Sequence, residues 1–259
     1  MSTENKEFFD LLNSVVDEQT FSFELSPRET PVKVSCKQLS TSQLKELVKT
    51  AVDSPLTQSV FNSTATKIFK QSLVEDPGTS LTVIDRLLFI LETRIHSLSP
   101  TKTVEFEGKT VNISFEEVKK KLKQQLQKNK EVLAPTSATE GKLAITYGVA
   151  LVDTEVQLNE ELYKNIEFNV ENVDELRKLV GEAFINEIAK TLQTITVGEK
   201  TLDLSENTFK SRLKVIESLP ASLTQKVIEY IEIYKKIISD CLTVEGYTIP
   251  IDSTLFTLR

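Results

Sequence analysis

Residues 81–98 constrain the chain more than any other stretch. Ile84, Leu87, Leu88, Leu91, Ile95 and Leu98 recur at offsets of three and four, which stacks them on one face of an α-helix. Asp76-Pro-Gly-Thr79 breaks the chain ahead of this segment. Ser99-Pro100 stops it, because a proline ring pushes the preceding residue out of helical geometry. The spacing predicts a helix over 81–98 with a broad apolar face, and a core has to form against that face.

Helical and strand periods alternate along the rest of the chain. Phe8, Leu11, Leu12 and Val15 mark a short amphipathic helix, suited to packing on the core or to docking in a partner's groove. Phe21 to Leu25 and Val32 to Cys36 alternate like strands around Pro27 and Pro31, as a hairpin or as two edge strands. Ser40 or Thr41 caps a helix through Leu44, Leu47, Val48 and Ala51, and Pro55 opens another with Val60, Thr64, Ile68 and Leu73. Phe115 to Leu133 reads as a helix with Val118, Leu122 and Leu126 on one side. Ala134 to Gly141 has linker composition, and Leu143 to Leu158 reads as strand. Helices follow over 173–192, around Leu213, Ile216 and Leu219, and around Val227, Ile231, Tyr234 and Ile238.

Three segments share a hairpin theme. Two alternating apolar residues lead into Gly108, Gly198 or Gly246, and two more lead out. Glu107-Gly108 and Glu245-Gly246 suit a turn with glycine at positive φ, whereas Gly198-Glu199 places glycine first. The unequal intervals between the three glycines exclude a solenoid. Each hairpin closes a helical segment and offers strand edges to a neighbouring subunit, with Pro250 confining its strand to an edge. The expected fold class is α+β, helix-dominated, with several short antiparallel hairpins. The expected division is 1–134 and 135–259.

A net charge of −7 makes nucleic acid an unfavourable partner. Two cysteines, Cys36 and Cys241, are too few for a disulfide framework and read as buried small hydrophobes in a reducing compartment. No secretory signal is visible and no apolar run is long enough to span a membrane, so a cytoplasmic protein is expected.

Chemistry-bearing motifs are scarce. His96 is the single histidine, and it lies four residues after Glu92, where it reads as a surface helix partner. Gly108-Lys109-Thr110 ends like a phosphate loop but lacks the preceding glycine and sits in a hairpin turn. The run Lys119, Lys120, Lys121, Lys123, Lys128 and Lys130 reads as a wet helical face or as a contact for an acidic partner. No catalytic residue, metal ligand or cofactor site stands out.

Two stretches together resemble a known family. Phe23-Glu-Leu-Ser-Pro-Arg-Glu-Thr-Pro-Val-Lys-Val34 leads into a leucine- and lysine-rich helix at 39–51, and Thr82 to Ser99 carries Asp85 near its start and Arg94-Ile-His-Ser97 near its end. The pattern resembles the T4-type myophage baseplate hub group, whose members are hub subunits or hub-assembly factors of contractile tails. It covers residues 20–115 and singles out Asp85 and Arg94. The resemblance implies a non-enzymatic tail protein that acts through other tail and baseplate proteins. Its place would be the cytoplasm of an infected host during assembly and the virion baseplate. Read from their residues alone, the two positions are a helix-start carboxylate and an arginine whose stem covers apolar surface. An enzyme with a non-obvious carboxylate site, and a generic cytoplasmic scaffold or adaptor, stay open as alternatives.

Overall fold

The computed structural model describes residues 19–50, 57–164, 173–205 and 207–257. The amphipathic helix expected at Phe8 to Val15, and Pro55, lie outside them. Among the described residues no helix is long and apolar enough to cross a membrane. The fold class is α+β. Contacts gather the chain into two units, one of residues 1–80, 84–128 and 241–259, the other of 81–83 and 129–240. The expected division at 134/135 lies close to the crossing at 128/129, but residues 241–259 cluster with the first unit.

In the first unit, β1 (Thr20–Glu24) pairs antiparallel with β2 (Lys33–Lys37). Alternation turns Phe21, Phe23, Val34 and Cys36 inward, which leaves Ser22 and Ser35 on the wet face with their hydroxyls 2.8 Å apart. Helix α1 (Thr41–Lys49) starts on a capping box, with Ser40 and Gln43 each bonding the other's backbone N–H. Helix α2 (Thr57–Ser72) runs into a bridge between Leu73 and Cys36 that fixes its end on β2. Helix α3 (Val83–Ser97) is buried on every side from Ile84 to Arg94. An aromatic cluster surrounds it: the Phe69 and Phe89 rings lie 4.5 Å apart, with Phe23 against Phe69 and Phe21 against Phe89. Each fully buried phenylalanine contributes roughly 2–3 kcal/mol.

Strands β3 (Thr101–Phe106) and β4 (Lys109–Ser114) form the first glycine hairpin, and α4 (Phe115–Lys128) leaves it directly. Glu107 and Gly108 both have positive φ, 50° and 72°, as a two-residue turn with right-handed strand twist requires.

The second unit opens with the short α5 (Lys130–Leu133) and is built on an antiparallel sheet ordered β5 (Thr136–Glu140), β6 (Leu143–Tyr147), β7 (Leu192–Val197), β8 (Lys200–Asp203). Helices α6 (Val152–Tyr163), α7 (Val173–Thr191), α8 (Phe209–Glu217) and α9 (Ala221–Leu242) complete it, the last two residues of α9 returning to the first unit.

Two expectations need correction. The stretch expected as a linker at 134–141 contains β5, an edge strand of Thr, Ser and Glu that buries only Ala138 and so shows no apolar alternation. The stretch expected as one strand at 143–158 is β6 followed by the start of α6. Val152, Thr154, Val156 and Leu158 alternate by chance, while the four-residue steps Val152-to-Val156 and Leu158-to-Leu162 carry the helical period.

Arg212 is the largest wholly buried side chain of this unit, and its guanidinium donates to the carbonyls of Ala189, Leu192 and Leu204. Burial pushes its pKa down to about 10, against the pull of Asp203 and Glu161. Glu187 on α7 accepts from Lys190 at 2.5 Å and from Lys235 of α9 at 2.7 Å. Burial alone would raise its carboxyl, but the two ammonium groups outweigh burial and hold it below the usual glutamate value.

The stability Glu187 supplies is complete above the ordinary glutamate range and fades as pH falls through its lowered value. Thermal melts between about pH 3 and about pH 7 should show Glu187→Gln less stable than the wild type near neutrality, with the two curves converging in acid. Melts separated by the same amount at every pH would refute this account. A second expectation concerns the thiols. Both cysteines are buried, and burial pushes Cys36 up to about 11, so a maleimide should label neither at neutral pH until the protein is unfolded.

Candidate functional site

Helix α3 carries charge where a buried helix ordinarily carries leucine. Asp85 is 0 % exposed. Its Oδ1 accepts from the Ser26 backbone N–H at 2.7 Å, and its Oδ2 accepts from Arg28 Nη2 at 2.6 Å. Arg28 also donates to the carbonyls of Ser26 and Ser80. This network is the reason the segment Ser26-Pro-Arg28 turns back at the end of β1. One residue on, the buried Arg86 donates to Thr66 Oγ1 at 3.1 Å, which ties α3 to α2.

The far end of α3 repeats the theme. Glu92 is buried and faces two ammonium groups, Lys119 at 3.0 Å and Lys123 at 3.3 Å, and the His96 imidazole at 3.6 Å. Burial would lower the Lys119 ammonium, but its hydrogen bonds and charge attraction to Glu116 and Glu92 raise it instead. His96 lies on the Phe21 ring with centroids 5.0 Å apart. Arg94 is buried, donates to Ser99 O at 2.7 Å, and lies 5.1 Å over the Phe115 ring; burial lowers its pKa. Ser97 Oγ accepts from the Leu39 backbone N–H at 3.3 Å.

Asp85 and Arg94, read from their residues as a helix-start carboxylate and a stem-covering arginine, are therefore both interior anchors, one at each end of α3. Of the lysine run, Lys119 and Lys123 neutralise Glu92, while Lys120, Lys121, Lys128 and Lys130 are exposed. Sequence reasoning passed over Arg28 and took Glu92 for a wet partner of His96. A signal for Glu92 exists, since Asp85, Leu88 and Glu92 share one helical face with the apolar run between them. Nothing in the sequence marks Arg28.

Beside this network, Leu25, Pro27, Leu88 and Leu126 floor a groove of about 580 Å³, with Lys123, Lys128 and the carboxylate of Glu24 at its edges. Its lining suits an apolar side chain carried by an acidic segment. Among the described residues no group of three or more histidines, cysteines and carboxylates is placed to hold a metal ion.

The three glycine hairpins separate. The tips of β3–β4 and of β9–β10 (Thr243–Val244, Tyr247–Thr248) meet in the first unit, with the Phe106 and Tyr247 rings edge to face at 5.4 Å. Gly108 and Gly246 thus belong to neighbouring turns, while Gly198 turns β7 into β8 in the second unit. Strand β8 is exposed along its whole length as the sheet edge, with Leu202 46 % and Val197 59 % exposed on one face. Comparison with protein-family models, with curated proteins and with solved structures gives no match.

Removing Arg28 takes the guanidinium away from the buried Asp85 carboxylate, a loss of about 3–5 kcal/mol. The double variant Arg28→Ala/Asp85→Ala should lose far less than the sum of the single variants in urea melts, because each single change already removes the guanidinium–carboxylate contact. Additive losses would show that the pair is not coupled.

Proposed function

We propose that this chain is a phage tail protein, a baseplate hub subunit or a hub-assembly factor, that works through protein contacts without catalysing a reaction. The observation that carries this reading is the position of Asp85. It joins the two stretches that resemble the hub family, because its carboxylate binds the Ser26 N–H and Arg28 of the first stretch while sitting on the helix of the second. Arg94, the other family-pattern position, fastens the end of that helix to the hairpin that follows it. Residues 20–115, over which the resemblance runs, thus share one set of interior anchors.

The surfaces fit contact work. Strand β8 forms the sheet edge and exposes Leu202 beside Val197 of β7, and the groove beside α4 has an apolar floor and lysines at its rim. A carboxylate-pair hydrolase needs two carboxyl groups in one pocket, whereas Glu24 is the one carboxylate among the residues lining this groove. The partners are other tail and baseplate proteins, met in the cytoplasm of the infected host and, for a hub subunit, retained in the virion.

Disrupting the gene in a contractile-tail phage tests the reading. Electron microscopy should show tails arrested without complete baseplates, and mass spectrometry of purified virions separates a retained subunit from a released factor. The hairpin variants Lys109→Glu and Glu199→Lys, at exposed positions, should fold normally, whereas Tyr247→Asp also removes the ring contact with Phe106. At least one should lower infectious particles about tenfold, the factor that about 1.4 kcal/mol of lost contact energy produces. Normal tails without the gene, or occurrence of the protein only in cells that hold no contractile-tail genes, would remove the proposal.

A further inference from the structure

Strand β1 has one bonded edge and one open edge. Gln19, Phe21, Phe23 and Leu25 turn their backbone groups toward β2, a phase fixed by the bonds from Gln38 N–H to Gln19 O and from Leu25 N–H to Val32 O. Ser22 and Glu24, which alternate with them, therefore turn their N–H and C=O groups the other way. Among the described residues nothing bonds those groups. The opposite edge of the hairpin is closed, because Val74 N–H donates to Ser35 O at 2.9 Å and Cys36 bridges to Leu73. The open run is short. Beyond Leu25 the Ser26 N–H is held by Asp85, and Pro27 has no N–H to offer.

The groove of about 580 Å³ adjoins this edge. Glu24 and Leu25 form one wall, residues 123–128 of α4 form the other, and Leu88 of α3 lies beneath. We propose that the groove takes a short extended segment of a partner protein, which adds a strand to β1 and carries an acidic group to Lys128. The unpaired backbone of Ser22 and Glu24 selects an extended occupant, since a helix has already spent its main-chain groups on itself.

Strand alternation sets the pattern of that segment. Residues opposite each other on neighbouring strands point to the same face, so those opposite Ser22 and Glu24 point to solvent, as these two side chains do. The residues between them point to the floor of Leu25, Leu88 and Leu126, and are therefore apolar. Charge sets the rest. Lys123 already answers Glu92, whereas Lys128 is exposed and has no ion pair among the described residues. An acidic residue flanking the apolar ones meets it. This docking mode rests on the reading of the chain as a contact protein and names the kind of partner. Peptide binding is measured on the isolated chain, whereas gene disruption tests the reading itself.

NMR of the isotope-labelled full chain, with amide hydrogen exchange, tests the proposal, and the probe is acetyl-Asp-Val-Thr-Leu-Asp-amide. In the free chain the Ser22 and Glu24 amides should exchange rapidly. Titration should shift both amides and slow their exchange, with a dissociation constant on the order of 0.1–1 mM for so few contacts. Methylating the N–H of the central threonine, which faces β1 in an added strand, should weaken binding at least about tenfold. Lys128→Glu, at an exposed position, should fold normally and bind the probe about threefold more weakly. It should favour instead the peptide with lysine in place of both aspartates. No shift at Ser22 and Glu24 up to about 5 mM peptide would overturn the proposal. So would equal binding of the methylated peptide, or an unchanged charge preference in Lys128→Glu. Slow exchange of both amides in the free chain would overturn it too: protection that grows with protein concentration would assign the edge to a second copy, and constant protection to another part of this chain.

Discussion

The carboxylate of Asp85 is withdrawn from water and answered by the Arg28 guanidinium and the Ser26 backbone N–H. A buried ion costs several kcal/mol unless its partners are close and well aimed, so the rest of the first unit is arranged around supplying them. The chain after β1 turns back at Pro27 to deliver Ser26 and Arg28. The loop before α3 presents the Ser80 carbonyl to the same arginine. The aromatic cluster of Phe21, Phe23, Phe69 and Phe89 then closes over a helix whose position is already set by charge. Arg28 reaches both oxygens of Asp85, and such a bidentate pair adds geometric specificity to the apolar packing. Three further charged side chains on α3, Arg86, Glu92 and Arg94, extend the same specification to α2, α4 and the β3–β4 hairpin.

The second unit solves a similar problem with backbone instead of carboxylate. Arg212 spends its donors on three carbonyls, at the end of α7, at the start of β7 and after β8. Each of those carbonyls sits at or beside an end of a helix or strand, where the regular ladder of backbone bonds is interrupted. A planar group with five N–H donors reaches all three, which a lysine could not. The polar pair Asn186–Asn159, at 2.8 Å, fixes α7 against α6 in the same spirit.

Much of this fold was legible in residue order. The three-and-four spacing found α3, the Ser40 cap located α1, and alternation around Gly108, Gly198 and Gly246 found the hairpins. The misreadings have a common origin. Strand β5 is too polar to alternate visibly, and α6 alternates by accident, so both needed the sheet partner β6 to declare them. The charged residues of α3 were legible as helix positions but not as interior ones. Periodicity tells which residues share a face, and says nothing of whether a second body covers the opposite face. Arg28 had no local signal at all, since its partner is distant in sequence and the contact exists only after folding.

The first unit is closed by residues 241–257, which follow the whole of the second in the chain. Phe61 on α2 packs against Phe256, Lys102 donates to the Thr254 carbonyl at 2.7 Å, and Gln58 donates to that of Ile251. Residues 129–240 build a separate unit before any of these partners exists. During synthesis the order of folding is therefore inverted. The inserted unit can mature on the ribosome while the surrounding one waits with Phe61 uncovered, and a chain stopped short of residue 241 would carry a finished insert on an open frame. Such a product leaves the Phe61 ring without Phe256, an exposed aromatic surface of the kind that makes incompletely folded chains prone to aggregate.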